Sequence, residues 1–281
     1  MRVKHIFLYT LLLVVLLPVH SFAIGKKITK IVLDAGHGGK DGGARGSMSS
    51  EKDLTLAIVL KLGKIINDSF KNVTPLYTRV TDTYPSLADR HEVANQASAD
   101  LFISVHINST PFWTERVQTG TRTVRHKRRT TTVPVYSSIR HHTTTRSGTE
   151  TLVLGSIRNN EKEKAFGEFG DRVVDEPGLL NENDPQTAII ISQYTKAFLG
   201  RSVSLGTKIQ DAFAGQGRED HGVKQQSLEV LAGSYMPGVL VECGFITNPS
   251  EEEYMNSEKG QMEIAMAIFR GIKAYKQEVE K

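Results

Sequence analysis

Three strand-like runs, "KIVLD" (30–34), "ADLFISVHINS" (99–109) and "GVLVECGF" (238–245), constrain this chain more than any other feature. Each is rich in β-branched and large apolar residues and leads into turn residues, so each reads as a strand buried on both faces. Between them lie segments with helical spacing. Glu51 to Ser69 repeats Leu54, Ile58, Leu62, Ile65 and Ile66 on one face. Ser49 and Ser50 are candidate caps for it, and Glu51 and Asp53 suit its positive N-terminal end. Ser86 to Ala97 reads as a helix with Leu87, Val93 and Ala94 inward. Glu161 to Val174 and Gln186 to Phe213 read as two more, the second interrupted at Gly200 or Gly206. Glu251 to Tyr254 starts a helical turn, and Gln261 to Tyr275 is an amphipathic helix with Ile264, Ala267, Ile268 and Ile272 inward. Further strands are expected at Val73–Thr78, placed at a sheet edge by Pro75, at "TETLVLGS" (149–156) and at "QQSLEVLAG" (225–233). This alternation predicts a single α/β domain: a mainly parallel central sheet flanked by helices on both faces.

The first residues read as an export signal. Arg2 and Lys4 precede the apolar stretch Ile6–Val19, and Ser21-Phe22-Ala23 places small residues where a signal peptidase reads, so residues 1–23 are expected to be removed. Pro18 and His20 interrupt the stretch, which falls short of the roughly 20 residues a membrane span needs. No stable span is expected after cleavage. Cys243 is the one cysteine, so an exported chain of this kind relies on its core without an internal disulfide. The formal net charge of +4 hides an asymmetry. Residues 112–147 carry eight Lys/Arg against Glu115 alone, while the rest of the chain beyond residue 23 is near −5. This Thr/Arg/His-rich stretch shows neither a helical nor a strand period, so it is expected to be a mobile surface insertion. Export and the lack of interleaved aromatics argue against nucleic acid as its partner.

Four titratable residues stand at element ends. His37 follows the first strand in "DAGHGG", Glu51 opens the first helix, His106 lies near the end of "ADLFISVHINS", and Glu242 interrupts "GVLVECGF". Two imidazoles and a carboxylate form a catalytic-type zinc set that leaves a position for water. A carboxylate on an apolar strand is paired or functional. Taken singly, each has a plainer reading: a turn histidine, a helix N-terminal charge, a satisfied core histidine, an ion-pair member. Asp34 reads as a hydrogen-bond partner orienting His37 or as a strand-end turn residue. Cys243 is expected to point away from Glu242 by strand alternation. His126, His141 and His142 read as solvated residues of the insertion rather than a metal site.

Four segments, "VLDAGHGGKDGGARG" (32–46), "SEKDLTLAIVLKL" (50–62), "LYTRVTDTYPSLADRHEVANQASADLFISVHINS" (76–109) and "MPGVLVECGFITNPSEEEYM" (236–255), resemble in order the zinc-dependent N-acetylmuramoyl-L-alanine amidases, in particular the catalytic domain of the cell-division and sporulation types. The resemblance implies a catalytic domain over residues 29–277, interrupted by the insertion at 112–147. It implies that His37, Glu51 and His106 hold zinc and that Glu242 is the catalytic base, taking a proton from water and returning it to the leaving amine. The implied reaction cleaves the amide between N-acetylmuramic acid and L-alanine and releases stem peptides from peptidoglycan. A zinc peptidase acting on the stem peptide and a non-catalytic peptidoglycan-binding module are the alternatives; the motif order speaks against the first and the four intact residues against the second. The glycines after His37 would clear space for zinc and a bulky substrate, and the basic insertion would hold the enzyme near anionic wall or membrane polymers. The periplasm is the expected compartment and a monomer the expected state. No wall-binding repeat is visible, so an activator protein carries the chain to its substrate or the intrinsic affinity is low. Some members block the cleft with a segment of their own; residues 179–186, with Glu182 as the blocking carboxylate, are the candidate here. Members often carry an arginine after the "VL" of the penultimate strand, where this chain has Ala232, Gly233 and Ser234.

Overall fold

The strand-like run at 30–34 forms β1 (Lys30–Ala35), buried from its second residue onward. The computed structural model describes residues 27–127, 129–141, 143–155, 158–169 and 185–281. The signal stretch, His142, residues 170–174 and residues 179–184 of the segment 179–186, Glu182 among them, lie outside the described residues.

In space, β2 (Thr74–Tyr77), β1, β3 (Leu101–Asn108), β8 (Gly238–Phe245), β6 (Thr149–Leu154) and β7 (Asp220–Gln226) lie side by side in that order. Every neighbouring pair is parallel except β6 with β8. The sheet is therefore mainly parallel, with the Pro75 strand at its edge as predicted. Around it lie α1 (Glu51–Ser69), α2 (Leu87–Gln96), α3 (Asn159–Phe169), α4 (Pro185–Ala214), α5 (Glu229–Ala232), α6 (Pro249–Asn256) and α7 (Glu258–Val279). Side chains alternate across each strand, so the sheet feeds two cores. On one face Leu33, Val105 and Val241 pack with Leu62 of α1, Ile209 of α4 and Ile268 of α7. On the other Val32, Phe102 and Leu240 pack with Ala94 of α2, Ala165 of α3 and Phe198 of α4. No helix of the described residues is long and apolar enough to cross a membrane.

Four expectations are corrected. The helix α4 runs unbroken through Gly200 and Gly206. A helical glycine costs only about 1 kcal/mol, and at Gly206 a Cβ would lie 3.0 Å from Thr151 Cγ2, so that glycine sets a close helix–sheet approach. In "QQSLEVLAG" the strand ends at Gln226 and residues 229–232 turn into α5. Its apolar residues fit either period, which a run this short does not resolve. Leu87 is exposed, and the buried residues of α2 are Arg90, Ala94 and Asn95. Finally, the basic insertion is a regular hairpin: β4 (Trp113–His126) and β5 (Arg129–His141) pair antiparallel as a separate two-stranded sheet. A bulge between Gln118 and Gly120 shifts the alternation by one residue along β4, which hides the strand period from a reading of the sequence.

Candidate metal and catalytic site

Because β1, β3 and β8 are adjacent and parallel, their C-terminal ends share one edge of the sheet, the edge at which α/β folds bring distant residues together. His37 lies two residues past β1 in a left-handed conformation, φ 58°. Two glycines make this crowding possible. A Cβ on Gly36 would lie 2.4 Å from His106 Cε1, and one on Gly43 would lie 2.5 Å from Glu51 Oε2 and 2.6 Å from His37 Cδ2. Gly36 and Gly43 thus make room for the three side chains themselves.

Glu51, the first residue of α1, is buried and clamped from both sides. Its Oε1 accepts from the Ile107 backbone N–H at 3.0 Å and lies 2.9 Å from His106 Nδ1. Its Oε2 accepts from the Ala44 N–H at 2.7 Å and lies 3.2 Å from His37 Nε2. The opposite nitrogen of His37, Nδ1, is 2.8 Å from Asp41 Oδ2. The two rings stand edge-on, centroids 5.0 Å apart. One ligand atom from each of His37, Glu51 and His106 falls within 4.8 Å of the others. Burial opposes charge on His37, but Glu51 and then Asp41 outweigh it and raise its pKa to about 9. His106 is raised in the same way against its burial, chiefly by Glu51. Burial likewise opposes ionisation of Glu51, yet hydrogen bonds to His106 and His37 hold it well below the usual carboxylate range. The donor set fits zinc: two imidazoles and a carboxylate on one locus, with one imidazole oriented from behind by a carboxylate.

Glu242 on β8 pairs in register with His106 on β3 and with Glu150 on β6, so the three side chains leave the same sheet face in one row. Its Oε2 is buried with no hydrogen-bond partner among the described residues. Burial lifts its carboxyl to about 7. Glu150 is held on either side by Asn108 Nδ2, at 2.8 Å, and by Lys224 Nζ. Cys243 points into the opposite core, as alternation predicts, and burial pushes its thiol up. A cleft of about 310 Å³ opens beside the site, lined by His37, His106, Tyr84, Leu87, Leu228 and Val230. The exposed Leu87 thus belongs to the wall of a cleft.

Asp34 does not touch His37. It accepts from Arg90 Nη1 at 2.7 Å, Thr78 Oγ1 at 2.6 Å and Ser104 Oγ at 2.6 Å. Arg90 in turn donates through Nη2 to the His37 carbonyl at 2.7 Å, and Arg79 donates to the Ala35 and Gly36 carbonyls at 2.9 and 2.8 Å. Asp34 therefore steadies the His37 backbone through Arg90, while Asp41 orients the ring. Asp41, Arg79, Arg90 and Glu150 were not singled out from the sequence. The sequence signalled only that Asp34 has some partner, since a carboxylate in a buried strand requires a cationic or hydrogen-bonding one; that Arg90 supplies it, 56 residues on, was not legible. A further support lies behind Glu51. Glu252 on α6 is buried and accepts the N–H groups of Ser47, Met48 and Ser49 at 2.7–2.9 Å and both serine hydroxyls. Burial alone would raise its pKa; the Ser47 hydroxyl and the three N–H groups overcome this and hold it at about 2.

Residues 31–274 match the sequence profile of the N-acetylmuramoyl-L-alanine amidase family. The chain is 28% identical over 253 residues to the N-acetylmuramoyl-L-alanine amidase AmiA of Escherichia coli, covering 89% of this chain and 76% of that protein. Among solved structures, it is similar to an N-acetylmuramoyl-L-alanine amidase from Clostridium difficile 630, with a TM-score of 0.58, 26% identity, and 89% and 97% of the two chains covered. The fold is also similar to that of the CwlD amidase from Clostridioides difficile, described in complex with the GerS lipoprotein, with a TM-score of 0.57, 24% identity, and 88% and 98% covered.

Proposed function

The chain belongs to the N-acetylmuramoyl-L-alanine amidase family, and from that premise we propose that it is an exported, zinc-dependent hydrolase that cuts the amide between N-acetylmuramic acid and L-alanine in peptidoglycan. The observation that supports this reading is the convergence of His37, Glu51 and His106 beside the unpartnered carboxylate of Glu242. In this proposal His37, Glu51 and His106 hold the ion. When bound, zinc supplies Lewis acidity to the scissile carbonyl and to the attacking water.

Glu242 takes the proton from that water on its carboxylate and gives it to the nitrogen of the departing L-alanine. Its burial favours the neutral acid, and a divalent cation nearby favours the ionised base, so proton uptake and release are both accessible to it. Asp41 fixes which nitrogen of His37 faces Glu51, and Arg90 fixes where that ring sits. An activator protein is part of the proposal, as is a periplasmic location.

The experiment is digestion of purified peptidoglycan with residues 24–281, with and without zinc, and identification of the released ends by mass. Free peptides beginning with L-alanine, formed only with zinc, are expected. Cleavage inside the stem peptide would turn the reading into a zinc peptidase, and no cleavage under either condition would remove the hydrolase.

A further inference from the structure

We propose that the β4–β5 hairpin is a docking surface for an anionic lipid bilayer. This inference concerns a surface that contains none of the candidate site's residues and does not depend on which bond the site cuts.

Pairing and alternation sort the hairpin's side chains onto two faces. Trp113 pairs with His141, Arg122 with Val133 and Val124 with Thr131, and the bulge after Gln118 keeps Val135 on the same side. One face therefore collects Trp113, Val117, Val124, Val133, Val135 and Ile139. The other carries mostly threonine, serine and arginine, with Arg116 over the Tyr136 ring at 4.8 Å. Among the described residues no element covers the apolar face, and Val117, Val124 and Val133 on it are half-buried. Trp113 is 52% exposed, Ile139 45% and Val135 37%, and among the described residues none of the hairpin belongs to either core. A two-stranded ribbon is at best marginal in water and needs a third layer over its apolar face. At its root the ribbon is pinned by the Trp113–His141 stack, centroids 4.0 Å apart, and by His141 Nε2 at 2.9 Å from Glu115 Oε2.

Charge identifies the missing layer. Glu115 is the one acid between residues 112 and 147, and it sits at the root. Arg122 and Arg129 share the apolar face towards the tip, and Arg125 and Lys127 flank them. A soluble polyanion would engage the cations and leave the valines wet. A neutral apolar partner would leave the cations unmatched. An anionic bilayer meets both: acyl chains receive the valine and isoleucine face, phosphates receive the arginines, and Trp113 takes the interfacial depth that indole prefers.

The test is flotation of residues 24–281 with vesicles of phosphatidylglycerol and with vesicles of phosphatidylcholine. Trp113 is the only tryptophan, so its emission reports its own environment. Binding to phosphatidylglycerol with a blue shift of that emission is expected, with little binding to phosphatidylcholine. Val135→Ser with Ile139→Ser should weaken binding roughly ten-fold or more. Arg122→Gln with Arg129→Gln should weaken it roughly thirty-fold. Both variants are compared at matched circular dichroism. Undiminished binding by the serine variant, or binding without a blue shift, would overturn the proposal in favour of a soluble polyanion. Equal binding to both vesicle types would also overturn it. A dimer that the serine substitutions dissolve, with no vesicle binding, would assign the face to a second copy of the chain.

Discussion

At the residue scale, two carboxylates that a sequence reader would treat alike sit in opposite surroundings. Glu51 is clamped between two imidazoles and two backbone N–H groups, whereas Glu242 keeps a buried oxygen with no partner. Substitution by glutamine should separate their roles. Glu242→Gln keeps shape and loses the proton acceptor, so zinc content should hold while turnover on a muropeptide falls about 10²- to 10⁴-fold. Glu51→Gln replaces a charged oxygen donor by a weak neutral one, so zinc itself should be lost on dialysis. Near-normal turnover in Glu242→Gln would take the base elsewhere. Asp41→Ala leaves all three donors in place but frees the His37 ring to turn. Zinc affinity, measured by competition with a chelator, should fall about 10- to 100-fold, and an unchanged affinity would show that the Arg90 clamp on the His37 carbonyl suffices by itself.

At the scale of elements, α6 governs how α1 begins. Glu252 gathers the loop of Ser47, Met48 and Ser49 just ahead of Glu51, so it sets where that carboxylate enters the candidate site. An ordinary glutamate titrates near 4.5 and this one near 2. Its stabilising contribution is therefore whole above about 4.5, shrinks as the pH falls below that, and is lost as the pH passes through about 2. The difference corresponds to about 3 kcal/mol. Glu252→Gln should reduce unfolding free energy by about that amount at neutral pH and by little near pH 2. Denaturant titrations at the two pH values check it; an equal penalty at both would mean that shape rather than charge holds the loop. The strands that carry the candidate site were legible in the sequence because continuous apolar runs leading to His37, His106 and Glu242 admit few other placements. The supports were not. Arg79, Arg90 and Glu252 act across long sequence separations, and α5 and the bulged β4 carry local patterns that fit more than one structure.

At the scale of the whole molecule, the hairpin shares none of its described residues with either core, so the body should fold without it. Replacing residues 113–141 by a short glycine–serine link should leave a single cooperative melt within about 2 °C of the parent, full zinc content and unaltered turnover on a soluble muropeptide. A broad or much lower melt, followed by calorimetry, would show that the hairpin props up the sheet after all. The reason such a graft is tolerated lies in one strand direction. β6 runs against β3 and β8, with β7 following it, so the chain leaves β3 and re-enters β6 on the same rim. Had β6 been parallel, the connection would have had to cross the full depth of the sheet. As built, it is a socket: material of any length plugs in beside the reactive rim without disturbing a single pairing, and closing a longer loop adds little entropy. A chain with this topology can therefore lengthen that connection without moving the strand ends that carry His106 and Glu242.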